Sequence, residues 1–264
     1  MSAAAQSLRQ FRFTNKAFWR NPASAFFTFA FPLMFLVIFT ALLGQGQVVI
    51  NGYELDTTTY YVGAMAAFGV ISACFTNIAI QTTFSRDEGV LKRLRGTPLP
   101  AGAYMSARVL HAMVVGAILV VITLVFGRIA YDSPFPSGGP LFEFTVTFLV
   151  GSLAFAALAL ALTAVIPNAE AAPPIVNAAI LPLLFLSGIF IPLDDEAPQW
   201  ISTVAEIFPV KHFADAMRAG FLGNLEVSGQ RVFAFDWVDV AIVAAWGLAG
   251  LILAARFFSW EPRR

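Results

Sequence analysis

The chain has 264 residues, 58% of them hydrophobic, with 16 basic against 16 acidic side chains and a mean hydropathy of +0.76. That is more apolar surface than a globular core of this size can enclose, so the excess needs a second apolar solvent and the protein reads as integral to a membrane. The single cysteine, Cys74, excludes an intrachain disulfide and a cysteine-based metal cluster, and the balanced charge gives no sign of a nucleic-acid partner.

Near the start, SLRQFRFTNKAFWRNP places Leu8, Phe11, Phe18 and Trp19 on one helical face and Arg9, Arg12, Lys16 and Arg20 on another. Such an amphipathic helix, within residues 1–24, suits the inner membrane interface, as an anchor on anionic lipid or as a link from cytoplasmic machinery to the first span. Apolar runs follow at 25–44, 60–83, 105–127, 142–166, 171–192 and 236–258. They predict an all-α fold with six transmembrane helices in a single domain, 1–264. The first run lacks a small-x-small cleavage pattern, so it is expected to be a retained span. Only PNAEAAP separates the fourth and fifth runs, which predicts an antiparallel hairpin turning at Pro167 to Pro174.

Six crossings put both termini on one side, and the distribution of Lys and Arg selects the cytoplasm. Arg9, Arg12, Lys16, Arg20, Arg86, Lys92, Arg93, Arg95, Arg108, Arg256, Arg263 and Arg264 gather on that side. The opposite side keeps Arg128, Lys211, Arg218 and Arg231 and collects Glu54, Asp56, Asp132, Asp194, Asp195, Glu196, Glu206 and Glu226. The outer segment 193–235 is too long for a turn, and Phe213, Met217 and Phe221 at spacing four predict short outer interfacial helices, as anchors or as a gate.

The cytoplasmic loop 84–104 contains FSRDEGVLKRLRGTPLP, where Arg86, Asp87, Glu88, Lys92 and Arg93 crowd together. Orientation alone needs positive charge but not the acidic pair, nor the apolar Val90, Leu91 and Leu94. If 85–95 is helical these three form a ridge fit to dock in a partner's groove, with Pro98 and Pro100 ending the helix; the bland alternative is a solvated topological signal. Two stripes are expected within the membrane: Ala73, Asn77 and Gln81 on the second span, and Asn177, Leu181, Leu184 and Gly188 on the fifth. Amides there either bond neighbouring helices or face a wet pathway, and Gly69 with Ala73 suits close helix contact in both cases.

Catalytic groupings of a nucleophile with its base, a metal cluster or paired carboxylates are not visible. His111 and His212 fall on opposite sides of the membrane and read as ordinary interfacial residues. Glu143, Glu170, Asp236 and Asp239 lie near span ends rather than at a midplane relay. There is no Gly-x-x-x-x-Gly-Lys-Ser/Thr phosphate loop either, so transport would draw its energy from a separate motor protein.

Two stretches, SRDEGVLKRLRGTPLPAGAYMSARV and LPLLFLSGIFIPLDDEAPQWISTVAEIFPVKHFADAMRAG, resemble the type-2 permease subunits of ATP-binding-cassette exporters, of the drug-resistance and polysaccharide or lipo-oligosaccharide kinds. The combination of Leu186, Ser187, Gly188 and Pro192 with Pro198, Trp200, Pro209 and the Asp215 to Arg218 spacing carries the resemblance. Gly89-Val90 departs from the Gly-Thr pair frequent in that family. The resemblance implies an ATPase-coupling role for Arg86, Asp87, Glu88, Leu91, Lys92, Arg93 and Leu94. It also implies a pathway between two permease subunits lined by the second and fifth helices, hence by Ala73, Asn77, Gln81, Asn177, Leu181, Leu184 and Gly188. The implied partners are an ATPase subunit, a second permease (identical or not) and membrane lipid; ATP and Mg belong to the ATPase, and this chain needs no cofactor. An excess of Arg over Lys and abundant Ala point to a GC-rich bacterial genome, and with the resemblance the expected location is the bacterial cytoplasmic membrane. A membrane scaffold or assembly protein, and a membrane-embedded transferase, are the competing readings.

Overall fold

The computed structural model describes residues 3–43, 46–50, 53–97, 99–193, 198–227, 230–231 and 233–259. The chain opens with helix α1 (Ala3–Trp19) and α2 (Pro22–Leu43), followed by an antiparallel hairpin of β1 (Gln47–Ile50) and β2 (Tyr53–Asp56), with Gln47 opposite Asp56. Next comes one rod of three parts, α3 (Thr57–Ile71), a π-helical segment (Ser72–Thr76) and α4 (Asn77–Asp87). Then follow α5 (Val90–Arg95), α6 (Ala101–Tyr131), α7 (Gly138–Leu162), α8 (Ala172–Leu186), α9 (Gln199–Ile207) and α10 (Pro209–Leu222). A small pair of strands, β3 (Glu226–Val227) and β4 (Gln230–Arg231), precedes α11 (Trp237–Phe257).

Five helical runs are long and apolar enough to cross a membrane: α2, the α3–α4 rod, α6, α7 and α11. The expected span over 171–192 is helical for only 15 residues in α8, about 22 Å at the usual rise. It begins with Pro173 and Pro174 in its first turn, where a missing N–H costs no helical bond. It stops where Gly188 takes φ +74°, a conformation glycine adopts without penalty. Asp236 caps α11, its carboxylate accepting from Val238 N at 2.8 Å.

The core is built around α3, in which every residue but Thr58 is buried. Its small side chains let neighbours come close: a Cβ on Gly127 of α6 would lie 2.6 Å from the Val62 side chain, and Gly69 faces Leu119. α11 lies along α7 by the same device, since a Cβ on Gly247 would meet the Ala154 backbone at 2.8 Å. Phe39 stacks on Tyr61 with centroids 5.3 Å apart, which joins the inner face of α2 to α3.

Three expectations about packing need correction. α8 packs against α4, α9 and α10 rather than along α7, so the fourth and fifth runs are consecutive without being a packed hairpin. α10 does not lie on a surface: it is enclosed by α3, α7, α8 and α11, and 12 of its residues are buried. In α1, Leu8 and Trp19 are exposed while Phe11 and Phe18 turn inward with Gln10 and Thr14 against α6, so the apolar face is split.

The bundle has two distinct ends. At one, Ser7 and Ser106 hydroxyls meet at 2.9 Å and α1, α5 and the 163–171 turn assemble with most of the basic residues. At the other, Thr40 bonds Tyr131 at 2.7 Å, and Arg231 reaches Glu143 at 3.1 Å. Asp194, Asp195, Glu196, Pro98, Arg263 and Arg264 lie outside the described residues.

Candidate functional site

The crowded charges at 86–93 divide into an inner and an outer set. The rod ends at Asp87, and Gly89, at φ +71°, breaks the helix expected over 85–95 into α4 and α5. Arg86 is almost wholly buried; its Nη1 donates to Thr163 O at 2.8 Å and its Nη2 to Ile166 O at 2.5 Å. Asp87 accepts from Ala169 N at 2.8 Å. These bonds give the guanidinium and three backbone groups of the 163–171 turn their partners, so Arg86 and Asp87 fasten the rod to that turn. Glu88, Lys92 and Arg93 point outward and are exposed. The apolar ridge faces the opposite way to the expectation: Leu91 is fully buried, and Val90 and Leu94 line a cavity inside the chain.

That cavity, about 440 Å³, lies between α1, α4, α5 and α6 at the basic end and includes Ala73, Asn77 and Gln81 in its wall. A second cavity of about 360 Å³ opens between α2, the π segment and α8, lined by Ser72, Thr76, Asn77, Asn177, Leu181 and Leu184. The two expected stripes therefore meet, with Asn77 common to both cavities. Within α8, Asn177 and Leu181 are exposed whereas Leu184 is buried. The π segment carries one residue more per turn than an α-helix, so it rotates Asn77 relative to α3 and brings Ser72 and Thr76 to the groove. Residue spacing alone carries no sign of it.

Gly188, placed in the same stripe by spacing, belongs elsewhere. Its carbonyl accepts from Tyr60 OH and from Arg218 Nη1, the latter at 3.0 Å. Arg218 also pairs with Asp215, bonds the Tyr60 hydroxyl and lies over the Tyr60 ring at 4.9 Å. Lys211 reaches the other oxygen of Asp215 at 3.0 Å. Burial works to lower the Arg218 pKa, but its electrostatic interaction with the Tyr60 hydroxyl, the Asp215 charge and the Asp215 hydrogen bond outweigh it and raise the value, so the guanidinium stays charged. A cavity of about 340 Å³ adjoins this network. The i, i+4 and i+3 spacing of Lys211, Asp215 and Arg218 was the signal for it.

Both histidines are buried, contrary to the interfacial expectation. His212 bonds Asp239 Oδ1 at 2.6 Å and Glu206 O at 2.9 Å, which ties α10 to α11 and to α9. His111 packs against Phe18 with ring centroids 5.2 Å apart. Among the described residues, no group of three His, Cys, Asp or Glu is placed to hold a metal ion.

Residues 7–222 match the sequence model of the ABC-2 type transporter family. The chain is 25% identical over 211 residues to the probable multidrug ABC transporter permease YbhR of Escherichia coli (strain K12), an alignment covering 79% of this chain and 56% of that protein. The chain thus spans little more than half the length of that relative. It is also 25% identical over 200 residues to the putative transport permease YvfS of Bacillus subtilis (strain 168), covering 74% and 76%. Nodulation protein J of Neorhizobium galegae matches at 25% over 214 residues, covering 78% of each. With a match over most of its length and five helices long and apolar enough to cross a membrane, the chain belongs to the ABC-2 type transporter family.

Proposed function

We propose that this chain is the permease subunit of an ATP-driven exporter, working with a second permease and with ATPase subunits that bind ATP and Mg at the basic, cytoplasmic end. The membrane is the bacterial cytoplasmic membrane, with α8 as the short sixth crossing and both termini inside. The carrying observation is the groove between α2, the π segment and α8, where Asn77 and Asn177 line one cavity that opens to the outside of the chain. Amides exposed on a helix surface are costly against lipid and suit a surface covered by a second permease with water or cargo between. A scaffold has no use for such a groove, and a transferase needs reactive groups that do not line it.

The coupling role falls to α5. Its outer side carries Lys92 and Arg93 next to Glu88, while Val90 and Leu94 on its inner side line the 440 Å³ cavity. A push from an ATPase on the outer side is thereby felt at the wall of the inner cavity. ATP binding would close the ATPases, shift α5 with the end of the rod, and switch the groove from inward-facing to outward-facing. The name of one relative, a probable multidrug permease, favours a drug-like cargo, and the apolar lining of the groove suits an amphipathic or lipid-linked one.

Export by the reconstituted permease and its ATPase tests the reading. Asn77→Ala and Asn177→Ala should each change cargo range or shift apparent affinity on the order of threefold to tenfold, at normal membrane levels. Variants that lose dimerisation, while any surviving protein exports normally, would make the groove a packing seam instead.

A further inference from the structure

The cavity at the basic end holds more than amides. Arg108 of α6 lines it, and its Nε and Nη2 donate to Tyr104 OH and to Ser85 Oγ, both at 2.5 Å, with the guanidinium 5.1 Å from the Tyr104 ring centroid. Both hydrogen-bond partners are hydroxyls, and Arg108 makes no ion pair among the described residues. One turn further along α6 His111 lines the same space, only 8% exposed, with Nδ1 buried and no hydrogen-bond partner. Among the described residues no carboxylate is in the wall. Asn77 and Gln81 on α4 add amide donors, and Phe13, Phe18 and Leu94 supply an apolar side.

Arg108 is half-buried, so its charge is tolerated as it stands, but it faces the cavity beside the buried, unpaired His111 Nδ1, and the two together leave donors that an anion would complete. A guanidinium prefers a phosphate, which it can grip with two N–H groups, and the apolar wall beside it suits an acyl or prenyl chain. We infer that this cavity binds the phosphate-bearing head of an anionic amphiphile, with Arg108 as the charge partner and with His111, Asn77 and Gln81 completing the contacts. Entry is from the membrane leaflet at the basic end, past α1. That the amphiphile is also the cargo rests on the exporter reading; the binding does not.

Binding is measured on the full chain in discs of neutral lipid, by titrating fluorescent phosphatidic acid against phosphatidylcholine of the same acyl chains, with inorganic phosphate as competitor. The wild type should bind phosphatidic acid saturably and at least about tenfold more tightly than phosphatidylcholine, the scale of one charge-assisted hydrogen bond. Arg108→Gln should remove most of that preference and Arg108→Lys should keep part of it. Ala17→Trp, which fills the cavity from α1 and leaves Arg108 in place, should remove saturable binding and decides the matter if Arg108→Gln does not fold. Equal binding of the two lipids, or an unchanged preference in both Arg108→Gln and Ala17→Trp, overturns the site. Competition by free phosphate as strong as by the lipid overturns the amphiphile in favour of a small anion. Preference without ATP-dependent lipid movement in the reconstituted transporter leaves the site standing and refutes the cargo role, whereas export of another cargo without any preference refutes the site and leaves the exporter reading standing.

Discussion

The rod α3–α4 and helix α2 both qualify as membrane spans, yet they have opposite surroundings. α2 is the more apolar of the two and has only Ala25, Pro32, Leu36 and Thr40 buried, with Phe26, Phe27 and Phe31 facing outward. The rod carries Gly63, Ala64, Ala66, Ala67 and Gly69 where α2 carries phenylalanine, and it is buried along most of its length. Hydropathy therefore says that a helix crosses, while side-chain size says which helix lies inside. In lipid the apolar effect does not separate the two, so close backbone approach and internal hydrogen bonds select the interior.

The largest expected effect tests the interior half of this contrast. Arg218→Met leaves Asp215 with Lys211 as its remaining partner and takes one of two donors from the carbonyl of Gly188, and should cost about 3 kcal/mol. Phe27→Leu on the outer face of α2 should stay within about 0.5 kcal/mol. Reversible unfolding in detergent compares the two, and similar losses would erase the distinction between the regions.

A steric pair sharpens the same comparison with a smaller effect. A Cβ on Gly220 of α10 would lie 2.7 Å from Phe144 N, a backbone atom that cannot rotate away, so Gly220→Val should destabilise by about 1–3 kcal/mol. On Gly102 an added Cβ meets nothing, and Gly102→Ala should be neutral or slightly stabilising. If Gly220→Val unfolds no earlier than Gly102→Ala, α10 is not held against α7 as described.

These residues also mark how far sequence reasoning reaches. The long apolar runs and the charge asymmetry between the ends were legible because both depend on composition along one helix. The burial of α10 was not. VKHFADAMRAG has the mixed polarity of an interfacial helix, and only the fold shows that Lys211, Asp215 and Arg218 pair with one another and that His212 finds Asp239 on α11. Helical spacing put Val90, Leu91 and Leu94 on one face but could not say which way that face turns. Gly188 shared a stripe with Asn177 by arithmetic, until its positive φ ended the helix. The π segment moved Asn77 without any residue type that announces it.

The smallest effect on stability should accompany a large effect on function, and it concerns the outer side of α5. Lys92 and Arg93 are exposed, and neither makes an ion pair among the described residues. Replacing both by Glu should therefore leave the unfolding midpoint within the range of ordinary surface changes, about 0.5 kcal/mol. If this side of α5 receives the ATPase, two reversed charges put like against like at the contact, and association or cargo-stimulated hydrolysis should fall on the order of a hundredfold. Leu91→Asp gives the contrasting result, because Leu91 is fully buried: the carboxylate has no partner there and the protein itself should be destabilised. Measuring ATPase binding and thermal stability on the same preparations separates the two sides of one short helix. Full coupling in the Lys92→Glu, Arg93→Glu variant would move the docking surface away from α5.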